Sequence, residues 1–153
     1  AAVLILGVDP GQNGGLALVE DGVLVNGIRM PTLKHRQKKV IDAGEVMMFL
    51  RGRLGLIVIE SVHAMPKQGV SSSFQFGRSF GAIEALMQLQ GAPIVYVTPA
   101  VWKKALGLSS DKQASIDAAH LRFGDPARRL IRYKADDGIA EAALLAEWGW
   151  KTS

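Results

Sequence analysis

The 153-residue chain contains no cysteine. That absence excludes disulfides, cysteine-ligated zinc fingers and thiol nucleophiles together, and it suits an intracellular protein. No apolar run approaches the roughly 20 residues that a membrane-spanning helix needs, so no membrane association is expected. The triplet Gly-Lys-Ser/Thr is absent, which removes the P-loop as a nucleotide site. No basic stretch precedes the first apolar run, and a secretory signal peptide is not expected. Acidic residues are the scarcer charge, 14 against 18 lysines and arginines, for a net charge of +4. Such an excess fits a polyanionic partner and equally fits ordinary solubility, so the placement of the charges matters more than their sum.

What is present is enough apolar material for one core. A 48% hydrophobic composition suits a single globular domain over residues 1–153. Residues 3–9 form a nearly continuous apolar run, the pattern of a strand buried on both faces. A turn over 11–15 leads into two apolar stretches, 16–19 and 23–30, joined at Asp21-Gly22, a strong hairpin signal. A polar segment over 31–39 precedes a helix over about 40–50, and 54–60 reads as another buried strand. Residues 62–73 hold proline, glycine and three consecutive serines and read as a loop. Helical spacing over 74–89 sets Phe76, Phe80, Ile83 and Leu86/Met87 along one face. After a short strand over 93–97, Thr98-Pro99 opens a helix with a hydroxyl cap and a first-turn proline. Ser110-Asp111-Lys112-Gln113 matches a capping box that starts a helix reaching Phe123. A basic loop over 124–135 and a last helix over about 136–148 complete the chain. The order of elements suits an α/β fold, a mixed five-stranded sheet flanked by helices, although other α/β folds share that order.

The acids fall at the ends of these elements. Asp9 closes the first strand, Glu60 closes the run Leu56-Ile57-Val58-Ile59, and Asp136, Asp137 and Glu141 open the last helix. Taken singly, each has an ordinary role: Asp9 before Pro-Gly as a turn residue, Asp136 or Asp137 as a helix cap, Glu141 as a solvated position. Taken together they are more specific, because adjacent strand ends aim carboxylates into one cleft. Burying clustered carboxylates is costly, and a divalent cation such as magnesium offsets the repulsion. At about 100° per residue, Asp137 and Glu141 lie about 40° apart on the last helix and share a face. Asp136 is turned about 140° from Glu141, which favours Asp137 as its partner. The glycine-rich segment Gly11-Gln12-Asn13-Gly14-Gly15, with Asp9, also resembles the phosphate-binding hairpin of sugar-kinase and actin-like ATPases. Those enzymes enclose their nucleotide between two domains, and 153 residues leave no room for a second.

Four segments in the same order resemble the RuvC-type Holliday-junction resolvases, members of the RNase H-like superfamily. They are Gly7-Val8-Asp9-Pro10-Gly11 with Gly14-Gly15-Leu16-Ala17, then Val58-Ile59-Glu60, then Gly77-Arg78-Ser79-Phe80-Gly81, and last Asp137-Gly138-Ile139-Ala140-Glu141 through Ala146. The resemblance covers nearly the whole chain and implies an RNase H-like fold. It makes Asp9, Glu60, Asp137 and Glu141 the metal-binding catalytic carboxylates. The more familiar form of the last motif spaces its acids three apart, whereas here they are four apart; both spacings keep one helical face. The implied activity is a structure-selective DNA endonuclease that makes paired symmetric nicks in four-way junctions and leaves 5′-phosphate ends. Two Mg²⁺ ions per site, with Mn²⁺ as a substitute, would sit roughly 4 Å apart, one activating water and one stabilising the leaving oxygen.

Symmetric nicking implies a homodimer. Phe74, Phe76, Phe80 or Met87 are candidates for its surface, and core packing is the competing role for each. The family also places a residue that stacks or wedges at the junction after the second acid, and His63 stands there. Lys67, Arg78, Lys103, Lys104, Lys112 and Arg132 are candidate phosphate contacts. The basic stretches are denser at Lys34 to Lys39 and at Arg128 to Lys134, the latter just before the acidic helix. Two rival readings remain: a nuclease of the same fold acting on flaps or RNA/DNA hybrids, and a junction-binding module without catalysis. Either resolvase or rival would work inside the cell, in the cytoplasm or nucleoid of a bacterium, or for a phage or an organelle. A branch-migration motor is a conceivable partner that the residues neither require nor exclude.

Overall fold

The structure is a computed structural model that describes residues 2–50, 52–62 and 67–153. Strand β1 (Leu4–Asp9) lies at the centre of a five-stranded mixed sheet. β2 (Gly15–Glu20) pairs antiparallel to it, and β3 (Val23–Arg29) pairs antiparallel to β2 and forms one edge. Asp21 and Gly22 both take positive φ, 48° and 84°, as the tight turn that the Asp-Gly pair predicts demands. A separate two-stranded hairpin, β4 (Thr32–His35) and β5 (Lys38–Ile41), leads to helix α1 (Ala43–Phe49). β6 (Leu56–Glu60) runs parallel to β1 on its other side. Helix α2 (Val70–Gln88) crosses to β7 (Ile94–Val97), which pairs parallel to β6 at the far edge. Helices α3 (Pro99–Ala105), α4 (Lys112–Phe123), α5 (Asp125–Leu130) and α6 (Asp137–Thr152) follow.

Strand parity decides which helices each face of the sheet meets. In β1, Leu6 and Val8 join a buried cluster with Ile57 and Ile59 of β6, Val46 and Phe49 of α1, and Ile83 and Met87 of α2. Ile5 of β1 and Val58 of β6 face the opposite way, into a cluster built on α6, α4 and α3. Side chains alternate along a strand, so Asp9 shares a face with Ile5 and Gly7, and Glu60 shares one with Val58. Both acids therefore point toward α6. Parallel pairing of Val8 with Ile59 brings the two acidic ends side by side.

Several boundaries differ from the sequence expectation. The polar segment over 31–39 is not unstructured: it is the β4–β5 hairpin, and the helix expected from residue 40 begins at Ala43 with Asp42 as its cap, accepting from the Glu45 amide at 3.2 Å. Helix α2 starts at Val70, inside the stretch that composition marks as a loop. Ser71 and Ser72 lie exposed in its first turn, where their hydroxyls accept from Lys38 Nζ at 3.4 Å and from Gln68 Nε2 at 3.0 Å. The capping box is shifted by one residue, with Asp111 rather than Ser110 accepting from the Gln113 amide at 3.0 Å. The basic stretch over 124–135 contains α5, started by Pro126 in its first turn. Met87 is fully buried and Phe80 packs against the α1–α2 side of the core, whereas Phe74 is 64% exposed. Among the described residues no helix is long and apolar enough to cross a membrane.

Candidate metal centre

The acids meet at one edge of the sheet because α6 lies almost on the backbone of β1 and β2. A Cβ added to Gly7 would stand 1.8 Å from the Ala142 carbonyl oxygen, and one added to Gly138 would stand 2.3 Å from the Gly14 carbonyl carbon. A Cβ added to Gly15 would stand 2.6 Å from the Gly138 carbonyl carbon. Gly15 thus serves helix packing, whereas Gly14 serves the turn itself, since its added Cβ would stand 2.0 Å from the Asp9 carbonyl oxygen. Ala142, Ala143 and Ala146 continue the same small, fully buried surface along α6.

The close approach lowers Glu141 onto the strand ends. One ligand oxygen from each of Asp9, Glu60 and Glu141 lies within 4.8 Å of the other two. Glu60 and Glu141 are buried, while Asp9 keeps partial access to solvent. Asp137, one turn before Glu141, is outside this group of three but close enough for its charge to act on Asp9. Its carboxylate stands 3.6 Å from Lys112 Nζ. Asp136 is used differently. It accepts from Arg29 Nε at 2.7 Å and from the amides of Arg132 and Tyr133 at 2.8 and 2.9 Å. Burial alone would raise its pKa, but Arg29 and the two amides outweigh that and hold the carboxyl below its ordinary value.

The cluster is electrostatically strained. Burial pushes the Asp9 pKa well above the usual carboxylate range, the charges of Glu60, Glu141 and Asp137 push it the same way, and the Gly11 amide only partly opposes them. Burial also raises Glu60, with Glu141 adding to the effect; the Trp102 indole and Lys103 pull in the other direction. Trp102 Nε1 donates to Glu60 Oε2 at 2.8 Å. Ser115 Oγ donates to Glu141 Oε2 at 3.0 Å, and Lys103 Nζ lies 3.1 Å from the same oxygen. These partners fix one oxygen of each glutamate. Three hard oxygen donors gathered in one place, with the pKa values of Asp9 and Glu60 raised, fit a divalent cation bound by oxygen.

Trp102 and Ser115 are not among the residues that the sequence marks. Trp102 reaches Glu60 because α3 starts immediately after β7, whose Val97 pairs with Glu60. One helical turn then folds it back over that residue. Of the candidate phosphate contacts, Lys103 is mostly buried against Glu141, whereas Lys67, Arg78, Lys104, Lys112 and Arg132 are exposed. The Arg132 guanidinium lies over the Tyr133 ring, 5.5 Å from its centroid. His63 lies outside the described residues. A basin of about 450 Å³ adjoins the acids, lined by Asp137 together with Arg29, Lys39, Lys112 and Lys134. It draws one lysine from each of the two dense basic stretches of the sequence.

No family model matches this chain, and no curated protein matches it. Among solved structures it is similar to RuvC of Thermus thermophilus in complex with Holliday junction substrate, with 16% identity and a TM-score of 0.64 over 99% of this chain and 97% of that one. A second Thermus thermophilus RuvC structure matches with 16% identity and a TM-score of 0.64 over 98% and 96% of the two chains. At such identity the likeness is one of fold: the chain has the RuvC-like, RNase H-like α/β fold across nearly its full length.

Proposed function

We propose that the protein is a divalent-metal-dependent endonuclease that resolves four-way DNA junctions. The observation that carries this reading is the convergence of Asp9, Glu60 and Glu141 at the C-terminal edge of two adjacent parallel strands. The fold is one it shares with a protein solved on a Holliday junction substrate. Asp9, Glu60 and Glu141 are the residues that would hold the metal, with Asp137 beside them. Bound Mg²⁺ or Mn²⁺, two ions per site, would supply Lewis-acid stabilisation of charge on the phosphate and lower the pKa of the attacking water. In the reaction a water oxygen bonds to phosphorus, the bond from phosphorus to the 3′-oxygen breaks, and a proton ends on that 3′-oxygen.

The chain's own residues hold and orient. Trp102 and Ser115 fix the Glu60 and Glu141 carboxylates, and Lys103 compensates part of their charge. The exposed cations Lys67, Arg78, Lys104, Lys112 and Arg132 are the proposed phosphate contacts, with Lys112 lying 3.6 Å from Asp137, and His63 is the candidate for the junction wedge. A pure binding module is disfavoured, because carboxylates facing a phosphate weaken binding unless a cation lies between them.

The test is cleavage of an end-labelled synthetic four-way junction with Mg²⁺, run beside flap and RNA/DNA hybrid substrates. The parent should make paired symmetric nicks in the junction and leave the other substrates largely intact. Asp9→Asn and Glu60→Gln should keep junction binding and lose at least about 100-fold in cutting, as expected when the metal site is broken. Junction binding with no cutting in either Mg²⁺ or Mn²⁺ would leave a binding module in place of the enzyme.

A further inference from the structure

The β4–β5 hairpin is a second sheet that adds no strand to the main one. Residues 34–39 within and around its turn carry four formal positive charges, at Lys34, Arg36, Lys38 and Lys39, besides His35, and residues 32–41 include no acid. All of the residues from Leu33 to Lys39 are exposed. None of these four cations forms an ion pair among the described residues. The pairing makes the charge costly: Lys34 lies directly opposite Lys39. Like charges at opposed positions in an antiparallel pair destabilise it. The turn adds strain, with Arg36 at φ 58°, a conformation that glycine or asparagine adopts more readily. A hairpin serving only to link β3 to α1 gains nothing from either feature.

The arm is nevertheless fixed in place. Its base is closed by the Asp42 amide donating to the Pro31 carbonyl at 2.9 Å, and Met30 and Ile41 on either side of it are buried in the core. Gln12, three residues beyond Asp9, donates to the Lys39 carbonyl at 3.1 Å and to Ser79 Oγ of α2 at 3.4 Å. Lys38 Nζ reaches Ser71 Oγ at 3.4 Å. A cleft of about 430 Å³ separates hairpin from α2, with Lys38, Lys39, Ser71 and Gln75 in its walls. Lys39 also lines the basin that contains Asp137 and Lys112. The charged arm is therefore braced at the same edge as the acidic cluster.

From this geometry we infer that the β4–β5 hairpin is a DNA-binding arm, which grips the phosphate backbone of the duplex entering the acidic site. Its strands of four residues extend about 13 Å, enough to meet several successive phosphates of one strand. Phosphates between Lys34 and Lys39 relieve the repulsion that the free hairpin carries. The inference rests on the reading of the chain as a DNA enzyme and names a contact surface outside its metal site.

The experiment compares the full-length parent with Lys34→Gln/Arg36→Gln/Lys38→Gln, by fluorescence anisotropy of a labelled four-way junction and a labelled plain duplex in EDTA, across a salt series. The plot of log affinity against log salt should become shallower by about 2.7, at about 0.9 for each phosphate contact removed. Affinity at low salt should fall about tenfold or more. The single variant Lys34→Gln should weaken binding while its Tm stays level or rises, since it removes a like-charge pair. The single variant Arg36→Gln, at the exposed tip, gives the same readout if the triple variant does not fold. Lysine-to-arginine replacement at 34, 38 and 39 should retain parental affinity. Parental DNA binding with an unchanged affinity and salt slope in the arm variants overturns the arm and leaves the proposed function standing. A parent that binds plain duplex but does not prefer the junction overturns the junction reading while the arm is still judged on duplex. A parent that binds neither DNA overturns both.

Discussion

Three carboxylates within 4.8 Å of one another carry a charge that the folded chain tolerates only at a cost. The raised pKa values of Asp9 and Glu60 mean that the folded state holds their protons more tightly than the unfolded state does. Stability from that source is fully present below the ordinary carboxylate pKa of about 4 and is lost as pH climbs through the raised values. In metal-free buffer, Asp9→Asn should therefore melt above the parent at neutral pH, and the difference should vanish near pH 4. A domain of about this size gains about 2–4 °C in Tm for each kcal/mol relieved. Added Mg²⁺ should raise the parent's Tm at neutral pH and leave Asp9→Asn nearly unmoved. Calorimetric scans over pH, with EDTA or Mg²⁺, decide it; parallel curves for the two proteins in EDTA would mean that the acids are not coupled in this way. Asp136 has the opposite sign: its lowered pKa contributes stability that is lost as pH falls, so it does not mimic this signature.

At the scale of elements, the site depends on how closely α6 lies against β1 and β2. Gly138 meets the Gly14 backbone so tightly that a methyl group has no space, and backbone on both sides cannot yield as a side-chain tip would. Gly138→Ala should cost about 1–3 kcal/mol by urea denaturation through overpacking. It should also cut junction cleavage by about 100-fold, because a displacement near 1 Å misplaces Glu141 and Asp137 against Asp9. A variant of parental stability and rate would show that the helix can shift without moving the acids. The elements themselves were unevenly readable. The first hairpin was plain because Asp21-Gly22 suits its turn. The second was not, because Arg36 occupies a left-handed position without the usual residue and residues 31–41 alternate too little apolar surface to mark strands. The start of α2 was hidden by serines, which favour loops by composition yet sit comfortably in a solvated first turn.

For the molecule as a whole, paired cutting requires two sites, and one chain carries one acidic cluster among its described residues. The proposed paired cutting would thus need a homodimer, and one face of α2 would suit it. Phe74, Gly77 and Gly81 follow one another at helical spacing, all exposed, and a Cβ on either glycine would meet no described residue within 4 Å. Among the described residues these glycines serve no packing, and a close helix approach from a second copy would use them. Phe74→Asp combined with Gly81→Glu should give a monomer by sedimentation velocity and convert paired cuts into slower, unpaired nicks. A dimer that persists in this variant would move the interface elsewhere.

The sequence by itself determined the sheet strands, the acids at their ends and the shared face of Asp137 and Glu141. These features follow from local periodicity: two residues per strand repeat and 3.6 per helical turn. It also favoured Asp137 over Asp136 by angle; in the structure Asp136 is held by Arg29, 107 residues away, and Asp137 stands outside the group of three. Tertiary structure alone decided that Trp102 and Ser115 hold the glutamates, that Gly15 and Gly138 let α6 lie against the sheet, and that the two basic stretches flank one basin. Each of these joins residues distant in the chain, through packing whose geometry depends on backbone separation and strand order. No local pattern of residue types encodes that separation, so it becomes readable only when the sheet and its helices are assembled.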